Sequence, residues 1–383
     1  MRIGFDAKRA FHNETGLGHY SRTLVRSLAE HYPDHDYYLF NPKNPSPFTL
    51  QGENMYEVNP NDLFGKIFTS AWRGKWVKKD LQKLRIQLYH GLSHEISVGI
   101  RSTGIPSVVT IHDLIHERHP EQYRKLDVMI YRKKFKYACR NARHIIAISE
   151  QTKKDIISYY RIPEEKITVC YQSCHPGFAQ LVNDADKKAV REKYNLPGNY
   201  LLYVGSIIER KNLLNICKAI VQLRGQVDIQ LVVIGDGKTY KEKVKRFIRE
   251  KNIGNQIIFL SESEAAKKST GFQTATDFPA IYQQAEAMIY PSFFEGFGIP
   301  VLEALWSRLP VITSNVSSLP EAAGPGAYYV NPDKPEEIAS GIKKIFTDEA
   351  FTSFMIGKGW EYAQRFSNEK TAEAVMKVYR SVW

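Results

Sequence analysis

The sequence predicts two α/β domains in tandem, each a parallel β-sheet covered by helices. Three observations predict it. The 383 residues suffice for two hydrophobic cores at roughly 150 residues apiece. Short apolar runs alternate with helical stretches, the grammar of parallel sheets with helical crossovers. That series stops and restarts across the polar, Pro- and Gly-containing stretch 177–199.

Element by element, residues 1–6 (MRIGFD) read as a strand. A glycine-bearing loop leads into YSRTLVRSLAEHY, where Leu24, Val25, Leu28 and Ala29 share one helical face. Further strands are expected at Tyr37–Phe40, Ile86–His90, Ser107–Ile111, His144–Ile148 and Ile167–Val169. The second series runs Tyr200–Val204, Gln230–Ile234, Ile257–Leu260, Ala287–Tyr290 and Val311–Thr313. We therefore expect domains at 1–180 and 181–365, with helix 366–383 packing back on the first. Ligands of open parallel sheets bind at the carboxyl ends of the strands, so the two domains are expected to face each other across a deep cleft.

Composition narrows the function. Hydrophobic residues at 43% and charged residues at 25% exclude disorder and low complexity. No apolar run approaches the ~18 residues of a spanning helix. The charged start MRIGFDAKRA lacks a signal-peptide pattern, so a cytoplasmic location is expected. Four cysteines, at 139, 170, 174 and 217, are too few for a disulfide scaffold and read as structural thiols. Net charge is +12, and the excess is N-terminal: residues 1–200 hold 31 Lys and Arg against 21 Asp and Glu, and the remainder 22 against 20. An anionic partner follows from that balance.

The most informative segment is AMIYPSFFEGFGIPVLEALWSRLPVITSN. A strand ends at Tyr290, a glycine loop follows, and Pro300 opens a helix as first-turn prolines do. Gly296 and Gly298 permit close backbone approach, and the N–H groups of a helix start attract anions such as a diphosphate. Carboxylates accept pairs of vicinal hydroxyls, so Glu295 on the loop and Glu303 in the first turn suit two sugar rings of one ligand. In YLLYVGSIIERKNLLNICKAI a strand runs into Gly205 and Ser206, and Arg210 and Lys211 precede Asn212, an expected helix N-cap. Cations at a helix start are unfavourable without an anion, so this pair suits a leaving diphosphate. HNETGLGHYSRTL sets Gly16 and Gly18 before a helix, and SVVTIHDLIHERHPE places His112 and Asp113 at a strand end.

Together these segments resemble the retaining nucleotide-sugar glycosyltransferases of the GT-B type, with two Rossmann-like domains, specifically glycosyltransferase family 4. The resemblance spans nearly the whole chain. It implies an enzyme of the hexosyltransferase class, with Glu295, His112, Arg210 and Lys211 in catalytic roles. It implies donor contacts from Gly16, Gly18, Gly205, Ser206, Gly296, Phe297, Gly298 and Glu303. It implies no cofactor and no bound metal, the nucleotide sugar being a substrate. TGLGHYSRTL, TIHDLIHERHPE and RKN look most like bacterial mannosyltransferases of surface polysaccharide and lipopolysaccharide synthesis, which implies GDP-mannose as donor. The acceptor expected is a saccharide, lipid-linked. Departures are Ser206, where many members carry Arg, and the long segment 261–276 near where the base should bind.

Two basic, aromatic-bearing stretches, FGKIFTSAWRGKWVKKDLQKLR and RKLDVMIYRKKFKYACRNAR, read as helices. In the first, Phe64, Phe68, Trp72 and Trp76 fall at helical spacing and seven basic residues face one acidic. That character suits an anionic membrane surface, hence a peripheral place on the inner face of the cell membrane. The alternatives are a transferase using UDP-glucose or UDP-N-acetylglucosamine, and a non-catalytic polyanion or nucleic-acid binder. The binder needs neither Glu295 nor Glu303, so no nucleic-acid partner is expected. A nicotinamide oxidoreductase needs a third glycine that GLGHYS lacks.

Overall fold

A computed structural model describes all residues, 1–383, and they form two compact units. The first holds Met1–Cys174 and Phe366–Trp383, the second His175–Arg365. The chain thus passes between units at 174–175 and again at 365–366, where the sequence reading puts 180 and 365.

The first unit carries seven parallel strands: β1 (Arg2–Asp6), β2 (Asp36–Phe40), β3 (Met55–Val58), β4 (Leu88–Gly91), β5 (Ser107–Ile111), β6 (His144–Ala147) and β7 (Ile167–Val169). Their order is β3-β2-β1-β4-β5-β6-β7. The second unit carries six: β8 (Tyr200–Val204), β9 (Gln230–Ile234), β10 (Ile257–Phe259), β11 (Ala287–Tyr290), β12 (Val311–Ser314) and β13 (Tyr328–Val330), ordered β10-β9-β8-β11-β12-β13. Each order reverses once, between β1 and β4 and between β8 and β11. Loops leaving the two strands at a reversal diverge and open a crevice at their carboxyl ends.

Central strands such as β5 and β11 are buried throughout because helices cover both faces, which explains their unbroken apolar reading. The edge strands β3 and β13 were not foreseen. Met55–Val58 and Tyr328–Val330 are short and mostly half-exposed or exposed, unlike the edge strands β7 and β10, which were expected.

Helix Gly16–His31 buries Leu24, Val25 and Leu28 in the same core as Val375, Met376 and Tyr379 of helix Asn368–Val382. Full burial stabilises by ~1.5–3 kcal/mol per large apolar side chain, so the C-terminal helix is an integral part of the first unit. Ser367 caps it, its Oγ accepting from the Lys370 amide at 3.2 Å, a bond of about 1 kcal/mol.

Three local expectations are corrected. Gly16 and Gly18 do not precede the helix but lie in its first turn, and the Gly18 amide donates to Asn13 Oδ1 at 3.0 Å. Glu303 lies just past the first turn rather than in it, because the helix starts one residue earlier, at Ile299. The stretch 64–85 is not one helix: a π-helical turn, Trp72–Trp76, interrupts it and sends Trp72 inward, away from Phe64 and Phe68. No helix is long and apolar enough to cross a membrane.

Candidate active site

The reversal between β8 and β11 gathers the charged residues singled out above. The chain leaves β8 through Gly205, whose φ of +149° suits a residue without Cβ; a Cβ there would meet Lys211 Cδ at 3.0 Å. A 3₁₀ turn, Glu209–Lys211, then presents both cations. Asn212 is not the capping side chain expected. It adopts the left-handed region, φ +63°, and its Nδ2 donates to Pro291 O at 3.0 Å and Pro332 O at 2.7 Å. One amide group thereby ties the loops after β8, β11 and β13 together.

From β11 the loop brings Glu295 back to those cations. Arg210 Nη1 and Lys211 Nζ each lie 3.0 Å from the same oxygen, Glu295 Oε1. All three side chains are only 11–12% exposed. Arg210 also donates to Phe294 O, and its own carbonyl accepts from the Phe293 amide at 2.8 Å, so the two loops are laced backbone to backbone. Behind the carboxylate, Glu295 N donates to Ser317 Oγ at 3.1 Å, and Ser318 Oγ donates to Glu295 O at 2.9 Å and Phe297 O at 3.0 Å.

Electrostatics follow from this geometry. Burial alone would raise the Glu295 carboxyl, but Lys211 and Arg210 outweigh it and hold it down at about 2. Burial pulls Lys211 below the usual lysine value; Glu295 opposes the shift and Arg210 adds to it. Tyr290, the last residue of β11, was missed by the sequence reading. Its hydroxyl accepts from Lys211 Nζ and donates to Glu295 Oε1 at 3.2 Å, and the ammonium sits 4.7 Å from its ring centroid. The available signal was a hydroxyl ending the otherwise apolar strand AMIY.

Glu303 is held apart from this cluster, on helix Ile299–Trp306, accepting from Tyr282 OH at 2.8 Å. No cation answers it, so burial dominates and pushes its carboxyl up to about 7, Tyr282 opposing. Gly298, at φ +124°, makes the turn into that helix, and a Cβ there would crowd Leu319 Cδ2 at 3.0 Å. Ser206 is exposed, its carbonyl accepting from Tyr203 OH at 3.0 Å.

The family model described as Glycosyltransferase Family 4 matches residues 15–174, and that described as Glycosyl transferases group 1 matches 184–373. The chain is a family 4 glycosyltransferase. O-antigen chain mannosyltransferase B of Escherichia coli is 25% identical to this transferase over 395 residues, 99% of this chain and 100% of that protein. Serotype-specific mannosyltransferase WbdA of the same organism is 27% identical over 302 residues, 76% of this chain but 36% of WbdA, so the match spans about a third of that longer protein. The crystal structure of Anabaena Alr3699/HepE in complex with UDP and glucose has a TM-score of 0.73 at 17% identity, covering 99% of each chain. The transferase therefore has the GT-B fold of two Rossmann-like domains.

In its first unit, His112 directly follows β5, at a strand end as expected, but is only 4% exposed. Its Nε2 is 2.9 Å from Leu92 O, and its ring meets Tyr20 edge to face at 4.6 Å. Burial lowers it to about 4, Arg9 adding and Leu92 opposing, so the imidazole is neutral, with Nε2–H donating to that carbonyl. His90 lies between Tyr379 OH, at 2.6 Å, and Thr110 Oγ1, at 2.8 Å; burial lowers it to about 3. His94 stacks on Phe135 at 4.2 Å. The segment 261–276 forms two short helices, Glu264–Lys268 and Thr270–Gln273. Asp277, just beyond, receives Lys193 Nζ at 2.8 Å and Tyr194 OH at 2.5 Å.

Proposed function

We propose that the transferase moves mannose from GDP-mannose to a hydroxyl of a lipid-linked saccharide acceptor, with retention at the anomeric carbon, in surface-polysaccharide synthesis. The observation that carries this reading is the sharing of one carboxylate oxygen, Glu295 Oε1, by two cations at the strand reversal. One unit of positive charge is left over among the three groups. A donor diphosphate is the better counter-ion, and when it takes Arg210 and Lys211 it frees Glu295 to accept hydrogen bonds from the sugar's hydroxyls.

In the reaction the bond from C1 to the diphosphate oxygen breaks, and its electron pair leaves with the diphosphate. The acceptor oxygen bonds to C1 on the same face, and its proton passes to the departing phosphate, giving the nucleoside diphosphate and the glycoside. The state between is oxocarbenium-like. Arg210 and Lys211 stabilise the charge growing on the leaving group, rather than a metal ion. Glu303 holds the ribose, and the first unit binds the acceptor. The mannosyltransferases among the relatives support the choice of sugar.

The test is slow donor hydrolysis across GDP-mannose, UDP-glucose and UDP-N-acetylglucosamine. Release of GDP alone, lost in Glu295→Ala and Lys211→Ala, is the expected result. Release of UDP alone overturns the donor assignment, and neither release nor binding with any donor overturns the transfer reading.

A further inference from the structure

The first unit exposes apolar side chains that neither core nor active site uses. Trp72 turns inward, where its Nε1 donates to Asp80 Oδ2 at 2.8 Å, while its apolar neighbours stay outside the core. Leu63, Phe64 (68% exposed), Ile67 (62%), Phe68 and Trp76 stand in solvent. Helix Lys125–Asn141 repeats the pattern. Its inner stripe of Val128, Phe135, Ala138 and Cys139 is buried, whereas Leu126 (65%), Met129 (63%), Ile130 and Tyr131 are exposed. Scattered single apolar residues are ordinary on a surface, but four or five within one short segment mark an interaction site.

The two groups are stitched to each other through loop 95–99. Glu95 accepts Arg73 Nη1 at 3.2 Å and Lys134 Nζ at 3.4 Å. Gly99 N donates to Tyr137 OH at 2.6 Å, and Val98 N to Gly74 O at 2.7 Å. Val98 is itself exposed. Basic residues interleave: Lys66, Lys75, Lys79 and Lys83 are exposed on the first segment, and a groove of about 620 Å³ on the second is lined by Met129, Lys133, Lys136 and Arg140.

We infer that the segment 63–83 and helix Lys125–Asn141 form one docking surface for an anionic lipid bilayer. The apolar side chains enter the acyl boundary, and the lysines and arginines meet headgroup phosphates in and beside the groove. A protein interface would be depleted of lysine at its centre. A nucleic-acid groove gains nothing from exposed Leu, Ile and Met, since stacking needs aromatic rings. The surface goes beyond the transfer reaction and stands or falls independently of it.

Cosedimentation of the full chain with vesicles tests it, using phosphatidylcholine alone and phosphatidylcholine mixed with phosphatidylglycerol. Binding only to the mixed vesicles, weakened by salt, is the expected result. Phe64→Ser and Leu126→Ser each lower the partition coefficient about tenfold, and Lys75→Gln and Lys133→Gln each about fivefold. Near-UV circular dichroism and donor hydrolysis stay unchanged in all four. Equal binding to both vesicle types, or none, overturns the inference. So does self-association abolished by Phe64→Ser, which makes the occupant a second copy, or binding to an RNA oligonucleotide that the apolar variants leave intact.

Discussion

The carboxyl edges of the two sheets share a strand topology and differ in how their bonded charges balance. In the first unit Arg73 Nε donates to both oxygens of Asp6 at 2.8 Å, Nη1 reaches Glu95 at 3.2 Å, and Lys134 completes the set, two cations against two carboxylates. The nearby His90, His94 and His112 are uncharged and buried among aromatic rings. In the second unit Arg210 and Lys211 converge on a single oxygen. The lesson is that the shared fold does not fix local charge pairing: on the proposed function, the charge left over beside Glu295 is costly when buried, and an anionic donor relieves that cost.

The sharpest way to break the comparison is to remove charge from the second edge only. Lys211→Ala is expected to lower the rate of donor turnover about 10²–10³-fold, the loss typical of a preorganised electrostatic stabiliser. Arg73→Ala is expected to cost stability instead, read as a fall in midpoint on urea denaturation. If Arg73→Ala abolishes turnover at unchanged stability, the contrast between the edges is wrong.

Acid acts on the buried histidines of the first edge. An imidazole lowered to about 4 in the fold, against an ordinary value near 6.5, binds fewer protons folded than unfolded between those pH values. Its contribution is therefore present above about pH 6.5 and is lost as pH falls toward 4. For His112 alone the loss is on the order of 3 kcal/mol. Urea denaturation from about pH 7 to 4 is expected to show it, and His112→Gln is expected to flatten the slope.

The two acidic residues of one loop-helix segment give an internal contrast of opposite sign. Glu303, raised to about 7, keeps a proton in the fold that the unfolded chain releases, so stability falls as pH rises from about 4.5 through 7. Glu303→Gln is expected to stabilise by on the order of 2 kcal/mol at about pH 8 and little at about pH 5. Glu295→Gln is expected to destabilise at both, since its two cations lose their counter-ion. Thermal melts of the two variants at both pH values check the pair.

The smallest effect expected is that of Tyr290→Phe. It keeps the ring under Lys211 and removes the hydroxyl that bonds Lys211 and Glu295. As a positioning residue, Tyr290 is expected to lower kcat about tenfold with little change in donor KM. A change in KM alone would place its role in ground-state binding.

Much of this was legible in the sequence, because periodicity reports burial and buried parallel strands leave continuous apolar runs. Every central strand was found that way, and so were the edge strands β7 and β10, whose ITV and IIF are rich in β-branched residues. The edge strands β3 and β13, with Glu57 or tyrosines in mostly half-exposed or exposed positions, were not. The glycines, Pro300 and the residues Arg210, Lys211, Glu295 and Glu303 stood out by residue type and spacing. Tertiary structure alone decided which groups meet: that Arg210 and Lys211 share one oxygen of Glu295, that Tyr290 joins them, and that Asn212 ties three loops instead of capping a helix. It also decided that Glu295 and Glu303, eight positions apart, sit in opposite electrostatic surroundings. A sequence states which side chains can carry charge; the protonation state follows from distances and burial, which arise only when strands far apart in the chain lie side by side.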